Sequence, residues 1–338
     1  MKALAVLYRP QTFDEIVGQR SIIKILKRQI ELNQFLNCYL FCGPSGDGKT
    51  TTARAFAKAI NKNKGEPIEI DGASNNGVEN VKSIIKSASE RSVDSEYKIY
   101  IIDECHSLTN QAWQAFLKCI EEPPKYTIFI FCTTDPQKIP QTILNRVQRF
   151  NFTRLSQSEI KERLEYVCKC ENFTNYSESI DFISKIANGG MRDALAYLDK
   201  ASAYDTNLDI NNVLEALGNY SYDTFFKLTN SLIDGKEKDI INIIDDFFNS
   251  GKDLKLFIEQ YLDFTLDISK YCLFKDMSVT RLPVSIEKDI QYCTDIENSK
   301  AYYNHLVDKL LDIKNNIKGD ANAKTTITIM LLQFTRGK

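Results

Sequence analysis

The sequence predicts an α/β domain on a parallel five-stranded sheet, followed by chain that is helical to its end. Three observations lead there. Between residues 39 and 152, short β-branched or aromatic runs alternate with amphipathic stretches, the pattern of strands joined by helical crossovers. The glycine-rich turn Gly43-Pro44-Ser45-Gly46-Asp47-Gly48-Lys49-Thr50 lies where one such run gives way to a helix. After Leu155 the strand signals stop and helical spacing takes over.

In chain order, the strands are expected at Cys38 to Phe41, Pro67 to Ile70, Lys98 to Asp103, Thr127 to Cys132 and Gln148 to Phe152. Helices fall between them at Thr50 to Asn61, Val78 to Glu90 and Gln111 to Glu121, each with apolar residues three and four apart. Ser156-Gln157-Ser158-Glu159 offers an N-cap with an acid three positions on, which opens a helix running to about Cys170. Gly189-Gly190 and Gly218 interrupt the later pattern, and from Tyr222 onward segments such as TFFKLTNSLIDG and KDIINIIDDFFNSG read as helices of about three turns. The breaks suggest three domains, 1–154, 155–217 and 218–338, without internal repeat or low-complexity tail.

A chain of 338 residues exceeds one ordinary domain, and 43% hydrophobic with 26% charged residues is the composition of a folded protein. The apolar start of MKALAVLYRP is too short for a signal peptide core and is cut off by Tyr8-Arg9-Pro10. Nowhere do about eighteen uncharged apolar residues run together, so a cytoplasmic protein without membrane contact is expected. The nine cysteines lack the paired CxxC spacing of a tetrahedral zinc site, and Cys168-Lys169-Cys170 is too close-spaced to suggest one; buried free thiols are expected. With His106 and His305 the only imidazoles, a histidine metal centre or a Ser-His-Asp triad is not expected. Residues 1–154 hold 21 Lys and Arg against 16 Asp and Glu, leaving 22 against 29 for the remainder. That modest basic excess is compatible with a phosphate backbone nearby, and equally with an ordinary solvated surface.

Residues 43–50 satisfy GxxxxGK[ST], with the apolar CYLFC before them and the helical TTARAFAKAI after. Such glycines let backbone N–H groups curl around β- and γ-phosphates, the helix start directs its positive dipole end at them, Lys49 adds a charge, and Thr50 can ligate Mg²⁺. In KIYIIDECHSL, Asp103-Glu104 end an apolar strand, expected to lie beside the P-loop strand. Asp103 there suits a water-mediated hold on Mg²⁺, and Glu104 suits orienting the attacking water. A lone acidic pair at a strand end is commonly just a turn, a reading that weakens beside a complete P-loop. Thr133-Thr134 ends the strand TIFIFC, where a hydroxyl can sense the γ-phosphate or merely finish a strand. Arg146, Arg149 and Arg192 follow turns; each suits a phosphoryl transition state or simple exposure to solvent.

YRPQTFDEIVGQ at 8–19, the P-loop, IEIDGASNNGVENVK at 68–82, IIDECHSL, FLKCIEEPP at 116–124 and TTDPQKIPQTILNR at 133–146 together resemble the gamma/tau subunits of the bacterial replicative clamp loader. The similarity covers roughly residues 4–218, and TTDPQKIP and IEEPP are far more specific than the P-loop. It implies an AAA+ ATPase core, a small helical lid and an all-α collar, using ATP and Mg²⁺. By the same resemblance Arg9, Pro10, Val17 and Gly18 cup the adenine, while Gly43, Pro44, Ser45, Gly46, Asp47, Gly48, Lys49, Thr50 and Thr51 cradle the phosphates. Thr50 and Asp103 serve the metal, Asp103 and Glu104 form the Walker B pair, and Thr134 is sensor 1. Arg192 in GGMRDAL is sensor 2, and Arg146 is the finger reaching a neighbouring subunit's ATP.

The implied work is opening a sliding clamp and loading it on primer-template DNA, within a homo- or hetero-oligomeric ring that the resemblance makes a pentamer. Asn75, Asn76, Lys82 and Lys86 are expected to face the DNA backbone without reading sequence. Two departures stand out. The family's Ser-Arg-Cys finger reads Asn145-Arg146-Val147, and the cysteine-rich zinc insert is missing between Ile60 and Pro67, so no zinc is expected. The sequence ends where that collar ends, so no tail toward polymerase or helicase is expected. Two rivals share the motifs: a AAA+ branch-migration or remodelling motor acting on DNA, and a scaffold that binds nucleotide without hydrolysing it.

Overall fold

The structure, a computed structural model, describes residues 2–251, 253–320 and 322–336. Its sheet comprises β1 (Cys38–Cys42), β2 (Ile68–Asp71), β3 (Lys98–Asp103), β4 (Thr127–Thr133) and β5 (Gln148–Asn151). All neighbours are parallel, in the order β2-β3-β4-β1-β5. Because parallel strands need helical crossovers, both faces are covered, and the inner strands CYLFC and TIFIFCT are buried at every position. The edge strand IEID is polar and mostly exposed.

Alternate residues feed two cores. Leu40, Tyr100, Ile102, Phe129 and Phe131 pack with Val81 of helix Val78–Ala88 and with Trp113 and Phe116 of helix Asn110–Glu121. On the other face Tyr39, Phe41, Ile99, Ile101, Ile128 and Ile130 pack with Leu26 of helix Arg20–Glu31 and with Ala53 and Phe56 of helix Lys49–Ile60. Thr109 caps helix Asn110–Glu121, its hydroxyl accepting from Ala112 N at 3.2 Å.

One expected neighbour is wrong. The strand that ends in Asp103 does not lie beside the P-loop strand, because β4 lies between them and pairs with both. The reason is coverage: seven consecutive buried residues in β4 need strand partners on both edges for their N–H and C=O groups, and the central position of the five supplies them. The P-loop reaches Asp103 regardless, since Thr50 Oγ1 donates to Asp103 Oδ2 at 2.7 Å.

The described chain forms two compact units. One runs up to Cys170 and includes Ala187–Asp199; the other takes Glu171–Ile186 and the chain from Lys200 on. The stretch 155–217, read from sequence as one domain, is thus shared between them. In the first unit, helix Gln157–Cys170 opens with the reciprocal cap its sequence specifies. Ser156 N donates to Glu159 Oε2 at 2.9 Å, and Glu159 N donates to Ser156 Oγ at 3.3 Å.

The second unit is helical, with Tyr222–Ile233, Glu237–Asn249, Leu254–Phe274, Ser299–Asn316 and Ala323–Arg336 as its longer helices. Phe225, Phe247, Phe257 and Phe264 cluster at its centre, the Phe247 and Phe257 rings 4.4 Å apart. Helix Leu254–Phe274 starts at Asp253, whose carboxylate accepts from Lys255 N at 2.8 Å and Leu256 N at 3.3 Å. Among the described residues no helix is long and apolar enough to cross a membrane.

Candidate functional site

The turn after β1 can form only with glycine at particular places. A Cβ on Gly43 would sit 2.7 Å from Phe152 O, and Gly46 and Gly48 hold φ of 77° and 95°, the left-handed region that favours glycine. The helix beginning at Lys49 has no side-chain cap on Gly48, so its first N–H groups point at the turn without a protein acceptor from that residue. Lys49 is 6% exposed and Asp47 2%. The Lys49 ammonium donates to Gly43 O at 2.8 Å and to Pro44 O, and pairs with Asp47 Oδ1 at 3.0 Å. Burial pushes the Asp47 carboxyl above its ordinary range, opposed by the Lys49 charge, and Asp47 Oδ2 is buried without a partner.

At the carboxyl end of β3, Asp103 Oδ2 accepts from Thr50 Oγ1, and Oδ1 accepts from Glu104 N at 3.0 Å. A hydroxyl and a carboxylate so placed at a phosphate-binding turn are hard oxygen donors, the set that Mg²⁺ takes together with phosphate oxygens and water. These residues therefore fit a magnesium ion shared with a nucleotide. Among the described residues no group of three or more His, Cys, Asp or Glu is arranged to hold a metal.

Glu104 breaks the strand with φ 46° and ψ 40°, a left-handed conformation rare outside glycine, asparagine and aspartate. The turn carries its carboxylate to Thr134, whose Oγ1 donates to Glu104 Oε2 at 3.2 Å. Thr134 follows the last residue of β4, so the acid and the hydroxyl come from neighbouring strand ends.

The same cleft is lined by Arg9, Pro10 and Val17, by the P-loop from Ser45 to Thr51, and by Asp103, Glu104, Thr134 and Arg192. Arg192 reaches it because Met191 N donates to Gly46 O at 3.1 Å, fixing the start of its helix on the P-loop. Burial and then the Arg54 charge hold the Arg9 guanidinium below its ordinary range. Gly18 does not line the cleft; its φ is 70° and a Cβ there would meet Leu155 Cδ2 at 2.4 Å, so it serves the close packing behind. Gly43 and Pro44 likewise support the loop from behind through their carbonyls to Lys49.

Arg146 lies outside the cleft. Its guanidinium pairs with Glu121 Oε1 at 2.8 Å and donates to Thr142 O at 2.7 Å. Asn76 just before helix Val78–Ala88, Lys82 within it and Lys86 in its last turn are all exposed, while Asn75 Nδ2 donates to Asp71 O at 3.0 Å. Lys82 pairs with Glu79 at 2.8 Å. Sequence reading named Asp47 only as part of the phosphate cradle, not its buried pair with Lys49, and did not single out His106, 3.2 Å from Glu104, or Arg163, which lines the cleft and donates to Tyr8 O at 2.8 Å. Of the two that were not singled out, only His106 left a signal, standing three residues beyond Asp103 in a turn that carries one of two histidines.

Known proteins resemble the chain over most of its length. The family model described as DNA polymerase III, delta subunit matches residues 66–156, and that described as DNA polymerase III clamp loader subunit, ATPase lid domain, matches 159–206. DNA polymerase III subunit tau of Bacillus subtilis is 34% identical over 336 residues, covering 93% of this chain and 59% of that protein. DNA polymerase III subunit gamma of Buchnera aphidicola is 33% identical over 270 residues, covering 73% of this chain and 74% of that protein. The chain spans 59% and 49% of the length of the tau subunit of Bacillus subtilis and the gamma/tau subunit of Mycoplasma genitalium. In fold it is similar to the RuvB Holliday junction branch migration motor of Thermotoga maritima, with a TM-score of 0.55 at 20% identity over 67% of this chain and 79% of that one. That likeness supports a AAA+ fold and nothing finer. By its identity to these polymerase III subunits over most of its length, with a P-loop core and a matching lid, the chain belongs to the DNA polymerase III gamma/tau family.

Proposed function

We propose that this chain binds ATP with Mg²⁺ in the cleft, hydrolyses it, and works in the cytoplasm as one subunit of a ring that opens a sliding clamp and loads it onto primer-template DNA. The observation that carries the chemistry is the 2.7 Å hydrogen bond from Thr50 to Asp103, which joins the hydroxyl and carboxylate of a metal site at the start of the P-loop helix. Family membership carries the clamp and the DNA.

Each side chain then has work that its placement supports. Backbone N–H groups of the turn and the Lys49 ammonium bind the triphosphate, and Arg9, Pro10 and Val17 receive the base. Thr50, and Asp103 through water, would hold Mg²⁺, which would supply Lewis-acid polarisation of the phosphate oxygens. Glu104 and Thr134 hold a water in line with the γ-phosphorus. As the water oxygen bonds to phosphorus, the bond to the β,γ-bridging oxygen breaks, Glu104 takes the water proton, and ADP and phosphate leave. Arg192 neutralises charge from the lid side. We assign Arg146 to the neighbouring subunit's nucleotide, a role supported by its place outside its own cleft. The exposed Asn76, Lys82 and Lys86, with Asn75, are assigned to the DNA backbone. Residues 60–67 hold no cysteine, so the chain is proposed to work without zinc.

Steady-state ATP turnover with and without a candidate clamp and primed DNA tests the reading. Stimulation by clamp and primed DNA together is expected. Turnover that ignores both but rises with four-way junction DNA would instead indicate a branch-migration motor. Arg146→Ala should still bind ATP and lose on the order of 10³-fold or more of the stimulated rate; an unchanged rate removes the finger assignment.

A further inference from the structure

We propose that His106 is a positioning residue for Glu104, holding its carboxylate through Nδ1–H so that one oxygen stays free for water. This rests on the ATPase reading above and extends it. His106 Nδ1 lies 3.2 Å from Glu104 Oε2 and 3.1 Å from Thr133 Oγ1, with the ring mostly buried. A carboxylate oxygen and an unprotonated ring nitrogen would face each other lone pair to lone pair, so the contact requires the proton on Nδ1. The hydroxyl of Thr133 helps to hold the ring, and is itself fixed, accepting from Asp135 N at 3.0 Å.

The arrangement closes around one atom. Glu104 Oε2 accepts from Thr134 Oγ1 at 3.2 Å on one side, and His106 Nδ1 lies 3.2 Å from the same oxygen on the other, near enough for an N–H shared with Thr133 Oγ1 to reach it. Thr133, the last residue of β4, bonds the imidazole, and Thr134 just beyond it bonds Glu104, so consecutive threonines serve the two neighbouring groups. Glu104 Oε1 has no hydrogen bond or ion pair among the described residues, and is the oxygen left to accept from water. With Thr134 Oγ1 bonded to Oε2 and the imidazole 3.2 Å from it, the carboxylate is confined from two sides, where a single hydroxyl on a left-handed residue would leave it free to rotate.

The test compares His106→Phe, which keeps a ring and loses the donor, with His106→Asn, whose amide N–H can occupy the Nδ1 position. In His106→Phe kcat should fall by on the order of 10²-fold, as expected when a reacting group is misplaced, with ATP affinity unchanged. His106→Asn should recover most of that loss. Equal rates in the two variants, or a loss confined to ATP binding, would overturn the proposal. Glu104→Gln is the control: if it abolishes turnover while His106→Phe turns over like the wild type, the positioning role fails and the ATPase reading survives. A wild type without turnover sinks both. Independently of catalysis, ¹⁵N-histidine spectra are simple because the chain has two histidines. His106 should show a protonated Nδ1 that responds to Glu104→Gln; a neutral Nε2–H tautomer would contradict the contact.

Discussion

Thr50 Oγ1 touches Asp103 Oδ2 at 2.7 Å, so one hydroxyl ties the P-loop helix to the end of β3. Thr50→Val keeps the shape and removes the hydroxyl proposed to ligate magnesium. Magnesium-dependent turnover should fall on the order of 10²-fold or more, while nucleotide binding in chelator persists, measured by turnover and by titration. Gly72 is constrained just as closely. A Cβ there would lie 2.8 Å from Asp103 O and 3.0 Å from Glu104 O, and Gly72 N donates to Asp103 O at 2.7 Å. Gly72→Ala must push back the turn that carries both acids. It should cost about 1–3 kcal/mol in denaturant titration and lower kcat more than ATP affinity. The P-loop residues were legible in the sequence because motif and flanks are local. Glu104's partners were not: Thr134 lies thirty residues away, and nothing local indicates which hydroxyl a carboxylate will meet.

The helices and strands follow local chemistry closely. Periodicity fixed helix Lys49–Ile60 and strands β1 to β5 to within a residue or two, since strand ends depend on pairing as well as on composition. The cap of helix Leu254–Phe274 is likewise readable, because Asp253 follows Gly251 and an acidic cap satisfies two N–H groups. Asp253→Ala should cost about 1 kcal/mol. Phe257 packs against Phe247 and Phe225 at the centre of the same unit, and its replacement leaves a hole that helices close only in part. Phe257→Ala should cost about 3–5 kcal/mol, seen as a lower midpoint in circular dichroism; a loss below about 1 kcal/mol would mean the cluster is not the centre of the unit's stability.

Across the molecule, the free thiols report packing. Cys38, Cys42, Cys105, Cys119, Cys132, Cys168 and Cys293 are buried, Cys272 is half-buried and Cys170 is exposed. Alkylation of the native protein should therefore modify Cys170 first and the buried thiols only on unfolding, as peptide mapping will read. Burial pushes Cys38, Cys168 and Cys293 from the ordinary thiol value of 9.0 up to about 12. Between those values the unfolded chain has released protons that the folded chain keeps. Stability is thus retained below 9.0 and declines as the pH rises toward about 12, so the melting temperature should drop over that interval. A flat profile there would contradict the burial.

What the sequence alone determined is what short-range physics encodes: a glycine-rich turn between strand and helix, the identity of strands and helices, the Ser156 helix cap, and an acidic pair at a strand end. Glycine conformations, side-chain periodicity and capping residues act within about one or two turns of chain, so each can be read where it stands. Tertiary structure alone decided that β4 separates β1 from β3, that 155–217 divides between two compact units, and that Glu104 meets Thr134 and lies beside His106, which Thr133 bonds. Those outcomes depend on which buried backbone edges and side chains meet after the chain has folded back on itself, and no local pattern specifies the partner.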